Sequence, residues 1–527
     1  MRFFNTAGPV NSDRHYKISP LERFDLDEIL YLIDQAKYFV LHAPRQTGKT
    51  SCLLALMEYL NQAGDYKCLY FNVESAQGAR EDVRRGITAV LNQIGTCARL
   101  YLGDTFVTEM WKEVLDKTGE DSALNEVLTL WAEQSPLPLV LFIDEIDSLV
   151  GDTLISVLRQ IRTGYPNRTA KLFPHSIILC GVRDIRDYRI HSSKEKTIIT
   201  GGSAFNIKAK SLRLGDFTEQ EIKLLYREHT KETGQAFTED ALNLAWELTE
   251  GQPWLVNALA YEVCFDIKEN RDRNKTVTAE MIAQAKENLI YRRDVHIDQL
   301  ADKLQEERVR RVIAPILAGE NEPEKIPTDD IWYVRDLGLI RTKGQIRIAN
   351  RIYQEVIPRE LTFSTQLTIS HQPAWYIRPD DGRLNTDKLM SAFQDFFRKH
   401  SEHWMGRFDY QEAGPQLFMQ AFLQRIVNSG GRVEREYGLG MMRTDLLVTW
   451  PYSEGVQEIV IELKIRYGSL DSTIEEGAEQ TRNYMDKCGT DEGHLVIFDR
   501  NPGRSWDEKI FTREKEVQGK KIQVWGM

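Results

Sequence analysis

The stretch YFVLHAPRQTGKTSCLLALMEYL, residues 38–60, passes from an apolar run into a helical pattern through a short polar bend. Its centre, APRQTGKT, fits the phosphate-binding pattern G-x-x-x-x-G-K-[ST], except that Ala43 stands at the first glycine position. Such a loop works by turning backbone N–H groups toward an anion. Pro44, Arg45, Gln46 and Thr47 make the bend, and Gly48 lets the backbone approach closely. Lys49 would bring a point charge to the β- and γ-phosphates, and Thr50 a hydroxyl to Mg2+. Ser51 follows in the first turn of the helix, whose positive dipole end points to the same place. Ala43 to Ser51 are therefore the expected contacts of ATP and its magnesium.

A partner for this loop lies further on, in LPLVLFIDEID, residues 137–147. A buried strand ending in two acids is costly unless they meet a cation or hydrogen-bond donors. Asp144 is expected to hold Mg2+ through water and Glu145 to polarise the attacking water.

Composition sets the outer limits. A chain of 527 residues with 42% hydrophobic and 28% charged residues suits about three globular domains. No apolar run reaches the ~18 residues that cross a bilayer, and the beginning, MRFFNTAGPVNSDRHYKISP, lacks the order of a secretory signal. The six cysteines are scattered and read as buried thiols of a reducing, cytoplasmic protein with no membrane partner. A net charge of -11 excludes a general polycation, but a local basic groove for nucleic acid remains open.

Strand-like runs KYFVLHA, KCLYFNVE, PLVLFIDEI and SIILCGV alternate with amphipathic helices up to about residue 200. Their unbroken apolar character predicts an α/β core whose parallel sheet is covered on both faces. Residues 213–288 read as helical, with Thr218 and Thr238 as N-caps. Residues 297–360 read as helices and a hairpin turning at Lys343-Gly344, a pattern that suits a winged helix. The expected division is an ATPase core at 1–205, a helical lid at 206–295, a winged helix at 296–365, a linker at 366–386 and a last α/β domain at 387–527.

At IILCGVRD a strand ends near Gly181 and is followed by Arg183, and GQP spans Gly251 to Pro253. Together with HAPRQTGKTS and FIDEID these stretches resemble the AAA-like ATPases of the STAND and archaeal-ATPase group, over roughly residues 16–361. The resemblance implies that Arg183 senses the γ-phosphate and that Pro253 touches the base. It also implies a homo-oligomer in which Arg159 or Arg162 could reach a neighbouring subunit; a solvated helix face is the plainer reading of those two arginines.

The last domain carries a second pattern. In EIVIELKI, residues 458–465, a period of two sets Val460, Glu462 and Lys464 on one face. The preceding strand, RTDLLVTW, brings Asp445 toward the same end of the sheet. Two converging carboxylates repel unless a hard divalent cation, Mg2+ or Mn2+, lies between them. On a half-exposed strand, E-x-K is otherwise a common charge pair.

The order of helix, Asp-bearing strand, E-x-K strand and a helix with QTRNY resembles the PD-(D/E)XK nuclease superfamily, with Thr444 in place of the proline. That resemblance implies a metal site of Glu412, Asp445 and Glu462, with Glu434 a rival to Glu412. It further implies Lys464 as a catalytic lysine and Gln480 as the Q of a Q-x-x-x-Y element ending at Tyr484. The fused whole implies a P-loop NTPase with lid, winged helix and nuclease-like domain. The expectation is ATP-regulated cleavage of nucleic acid, DNA first, in defence against or maintenance of mobile DNA. Two alternatives stay open: a regulatory ATPase switch whose last domain only recognises nucleic acid, and a winged helix that binds duplex DNA.

Overall fold

The computed structural model describes residues 1–169, 172–184, 189–192, 197–292, 295–318, 326–344, 346–361, 376–405, 419, 422–423, 431–439, 442–466, 468–499, 501 and 503–527. It divides into two compact units, one of Met1–His296 with Ile331–Gln345, the other of Ile297–Asp330 with Ile346–Met527.

The first unit is built on a parallel sheet of five strands. They are β1 (Tyr38–His42), β2 (Lys67–Asn72), β3 (Leu139–Asp144), β4 (Ser176–Gly181) and, after the small hairpin β5 (Arg189–Ser192) and β6 (Thr197–Thr200), β7 (Lys208–Arg213). The order across the sheet is β2-β3-β4-β1-β7. Strand β4 thus lies between the strand that feeds the phosphate loop and the strand that ends in the acids.

Alternation along the strands explains their unbroken apolar runs. Tyr38 and Val40 join Leu139, Leu141 and Ile143 in one core, under helices Val83–Leu102, Ala123–Gln134 and Gly151–Gly164. Phe39 and Leu41 join Val140 and Phe142 in the other, under helices Leu26–Asp34 and Lys49–Ala63. Every residue of β1, β3 and β4 is buried.

Helices follow from residue 219. Thr218 and Glu221 form a capping box at the start of Glu219–Thr233, and the Thr238 side chain accepts from Ala241 N ahead of Glu239–Thr249, as the sequence led one to expect. Pro253 opens helix Pro253–Tyr261 at its first position, where a missing N–H costs nothing. The short strand β8 (Ile340–Arg341) belongs to this unit.

The second unit includes helix Glu307–Ala318, strand β9 (Arg347–Ile348) and helices Arg351–Leu361 and Thr386–Met405. Its six-stranded mixed sheet is made of β10 (Arg432–Leu439), β11 (Met442–Tyr452), β12 (Gly455–Ile465), β13 (Gly493–Phe498), β14 (Phe511–Val517) and β15 (Lys520–Gly526), ordered β10-β11-β12-β13-β15-β14. Helix Leu470–Cys488 covers one face, burying Ile474, Ala478 and Met485 against Val460, Leu495 and Ile497. The Phe393 and Phe397 rings meet Phe498, at 6.4 and 5.3 Å between ring centres. Residues 366–375 of the expected linker and most of the helix that would begin at Glu412 lie outside the described residues; 376–386 are described, with a bridge between Ile377 and Leu384 and the start of helix Thr386–Met405.

Candidate nucleotide and nuclease sites

The phosphate loop leaves β1 at Ala43, whose N–H donates to Gly181 O of β4 at 3.2 Å. Gln46 and Gly48 hold positive φ angles of 58° and 92°, and Gly48 caps the helix that starts at Lys49. Lys49 is buried, and its Nζ donates to the carbonyls of Ala43 and Pro44 at 3.0 Å each, so its charge sits at the centre of the loop. Thr47 closes the bend with a hydroxyl bond to Pro44 O at 2.8 Å.

Asp144 is fully buried. Its Oδ2 accepts from Thr50 Oγ1 at 2.8 Å and from Tyr70 Oη at 3.0 Å, while Oδ1 accepts from Glu145 N at 2.9 Å. A buried carboxylate held by hydroxyls beside a lysine is a hard-oxygen set, and it fits Mg2+. The residues that would hold that ion are Thr50 and Asp144. Glu145 sits in the left-handed region at φ 56°. Burial, then the nearby Asp147, raises its carboxyl pKa. Asp147 Oδ1 accepts from Val182 N at 3.1 Å, tying the acidic turn to the residue before Arg183. The Arg183 guanidinium lies over the Tyr333 ring at 4.9 Å. Arg159 is exposed and Arg162 half-buried on their helix.

Beside the loop opens a cleft of about 720 Å3, solvent space included, lined by Gln46, Thr47 and Gly48 on one side and Pro253, Trp254 and Phe217 on the other. Pro253, which the resemblance leads one to expect at the base, is one of the residues lining this cleft. Sequence reasoning missed the rest of the wall, a strap formed by the first residues of the chain. Asn5, Thr6, Ala7, Gly8 and Val10 line the cleft. Arg2 pairs with Glu228 and Glu232 of the helical region, and the buried Phe4 packs on Tyr16, Tyr226 and His229. Trp254 Nε1 donates to Thr6 O at 2.9 Å, and Val10 N donates to Ser51 Oγ at 2.9 Å. The available signal was Phe3-Phe4, two aromatics at the head of a polar stretch. Arg23, also missed, donates to Thr47 O at 3.1 Å and stacks over Phe217 at 4.5 Å.

Residues 17–357, more than half of the chain, match an AAA-like domain family. The chain belongs to that family. No match was found among curated proteins. Among solved structures this AAA-like protein is similar to a Walker-type ATPase of Pyrococcus abyssi, at 13% identity and TM-score 0.44, covering 67% of this chain and 99% of that one. It is similar to the Aeropyrum pernix ORC1 protein in complex with DNA at 15% identity and TM-score 0.35, covering 67% and 95%. The RuvB Holliday junction branch migration motor of Thermotoga maritima is 12% identical, with TM-score 0.34 and coverage of 65% and 98%.

The second unit of the AAA-like protein carries the E-x-K row. The antiparallel ladder of β11 and β12 ends at the pair Leu446–Ile461. Asp445 and Glu462 are the next residues on the two strands, and the same register continued by one residue would set them opposite each other. Glu462 is buried, and Lys464 Nζ stands 3.6 Å from its Oε1. By the two-residue period both share the face of Val460, which helix Leu470–Cys488 covers. That helix carries Gln480, whose Oε1 is buried with no hydrogen-bond partner among the described residues, and the buried Tyr484 one turn on. Glu434 lies on β10 opposite Leu447. Glu412 and the side chain of Asp445 lie outside the described residues. Among the described residues no three His, Cys, Asp or Glu side chains gather into a metal site, and no helix is long and apolar enough to cross a membrane.

Proposed function

We propose that this AAA-like ATPase regulates a metal-dependent nuclease carried on the same chain. In the first unit, Lys49 and the loop N–H groups would hold the β- and γ-phosphates, Thr50 and Asp144 the magnesium, and Arg183 the γ-phosphate. Glu145 would take the proton of the attacking water, for which a raised pKa suits it. Mg2+, when bound, would spread the charge that develops on the phosphates.

The observation that carries the nuclease reading is the buried carboxylate of Glu462 with the Lys464 ammonium 3.6 Å away, beside the strand position of Asp445. A buried carboxylate needs a cation beside it; Lys464 offsets one negative charge, and a second carboxylate from Asp445 would call for a divalent ion as well. Asp445 and Glu462, with Glu412, would hold Mg2+ or Mn2+; Lys464 would orient the nucleophile, and Gln480 would contact the nucleic acid. DNA is the substrate we favour, in defence against or maintenance of mobile DNA. A homo-oligomer, a winged helix at 296–365 and a cytoplasmic location belong to the same reading.

The test is incubation of the purified chain with linear, circular and single-stranded DNA and with RNA, with and without ATP and with Mg2+ or Mn2+. Metal-dependent cleavage that Glu462→Ala and Asp445→Ala abolish, with ATP hydrolysis intact, supports it. Binding of nucleic acid without cleavage under every condition would favour a recognition module instead. Cleavage unaffected by Lys49→Ala would refute the regulation by ATP.

A further inference from the structure

We infer that Tyr333 is a positioning residue for Arg183, seating the guanidinium on its ring so that it stands ready for the γ-phosphate. The inference rests on the reading of Arg183 as the residue that meets that phosphate. Tyr333 lies on helix Thr328–Asp336, in the segment Ile331–Gln345 that packs with the first unit.

The backbone leading to Arg183 is tied to both halves of the nucleotide site. Ala43 N, in the phosphate loop, donates to Gly181 O at 3.2 Å, and Val182 N donates to Asp147 Oδ1 of the acidic turn at 3.1 Å. Those ties fix the main chain but leave a long side chain with several rotatable bonds. The Arg183 guanidinium lies 4.9 Å from the centre of the Tyr333 ring, within the ~6 Å reach of a cation–π contact. Such a stack occupies the flat face of the guanidinium. A phosphate is bound by the in-plane N–H groups, so the two contacts are compatible.

The seat is itself anchored beside the phosphate loop. Gly338 holds φ +80°, and a Cβ there would lie 2.7 Å from Pro44 Cγ, so the turn after the helix rests on the loop. Arg335 O accepts from Arg213 Nη2 at 3.3 Å. Beyond the turn, Arg341 pairs with Asp216 at 3.1 Å and with Glu250 at 3.0 Å. An arginine loses rotamer freedom when it grips a ligand, and a seat that restrains it beforehand lowers that cost. Only a nucleotide with a γ-phosphate gains from this, because ADP lacks the group that Arg183 would meet.

The test measures equilibrium binding of ADP and of a non-hydrolysable imido analogue of ATP, each with Mg2+, to the full chain. The readout is the ratio of the two affinities. Tyr333→Leu and Tyr333→Met fill the space without a ring, and each is expected to shift the ratio about 2- to 30-fold toward ADP. Tyr333→Phe keeps the ring and should keep the natural ratio. Arg183→Ala should shift the ratio toward ADP, and adding Tyr333→Leu to it should shift the ratio no further. An unchanged ratio in folded Tyr333→Leu and Tyr333→Met proteins, with Arg183→Ala still shifting it, overturns the role of Tyr333 alone. A full additional shift in the double variant overturns it too, since Tyr333 would then act without Arg183. An unchanged ratio in Arg183→Ala overturns the γ-phosphate reading of Arg183, and this inference with it. Failure of both nucleotides to bind overturns the triphosphate-loop reading itself.

Discussion

Thr50 donates its hydroxyl to Oδ2 of Asp144 at 2.8 Å, joining positions 94 residues apart in the chain. Tyr70, on β2, donates to the same oxygen from the other side at 3.0 Å. The carboxylate is fully buried, so these donors and Glu145 N hold it in one orientation.

Tyr70→Phe removes one of those donors and leaves the ring in place. Loss of a buried bond to a charged acceptor is expected to cost about 1.5–3 kcal/mol. The variant should melt earlier and require more Mg2+ for half-maximal ATP hydrolysis. Thermal melts and a magnesium titration check both; an unchanged magnesium requirement would show that Tyr70 serves only the fold.

Glu145→Gln should slow ATP hydrolysis by roughly 100-fold or more while ATP still binds, the size expected for a lost general base. In the natural protein the raised carboxyl pKa has a sign that can be read out. The active carboxylate disappears as pH falls through that raised value, so hydrolysis should decline at a higher pH than an ordinary glutamate would give. A pH profile of turnover at saturating ATP measures it.

His296 is buried, stacks on Trp254 at 4.8 Å and hydrogen-bonds Gln46 of the phosphate loop. Burial pushes its pKa down to about 3, from an ordinary 6.5. The folded state therefore favours the neutral ring. The stability linked to it is complete above the unfolded pKa and is lost as pH falls from 6.5 toward 3, at about 1.4 kcal/mol per pH unit. Urea unfolding at stepped pH should show that slope, and His296→Gln should flatten it. An identical slope in the variant would place the acid sensitivity elsewhere.

Gly251→Ala should be strongly destabilising. Gly251 holds φ +84°, and a Cβ there would lie 1.9 Å from Phe217 O. The same backbone donates back, with Phe217 N bonding Gly251 O at 2.8 Å, so neither segment of the contact can retreat cheaply. Strain and overlap together should cost about 3 kcal/mol or more. A melting temperature within a degree of the natural protein's would contradict this.

Much of the chain could be read from local order. The strand-loop-helix at residues 38–60, the caps Thr218 and Thr238 and the pairing of Glu462 with Lys464 on one strand face all follow from residues close in the chain. Backbone period and cap chemistry act over a few residues, so the sequence alone determined them. It also determined that β1, β3 and β4 would be covered on both faces, because their apolar runs have no polar side.

The tertiary structure decided what depends on which distant segments become neighbours. The placement of β4 between β1 and β3 brings Gly181 to Ala43 and Val182 to Asp147. No periodicity encodes strand order. The docking of the strap against helix Glu219–Thr233 through Arg2 and Phe4 makes residues 5–10 a wall of the cleft beside the phosphate loop. Burial is a property of the assembled core; a residue name carries it only as a tendency.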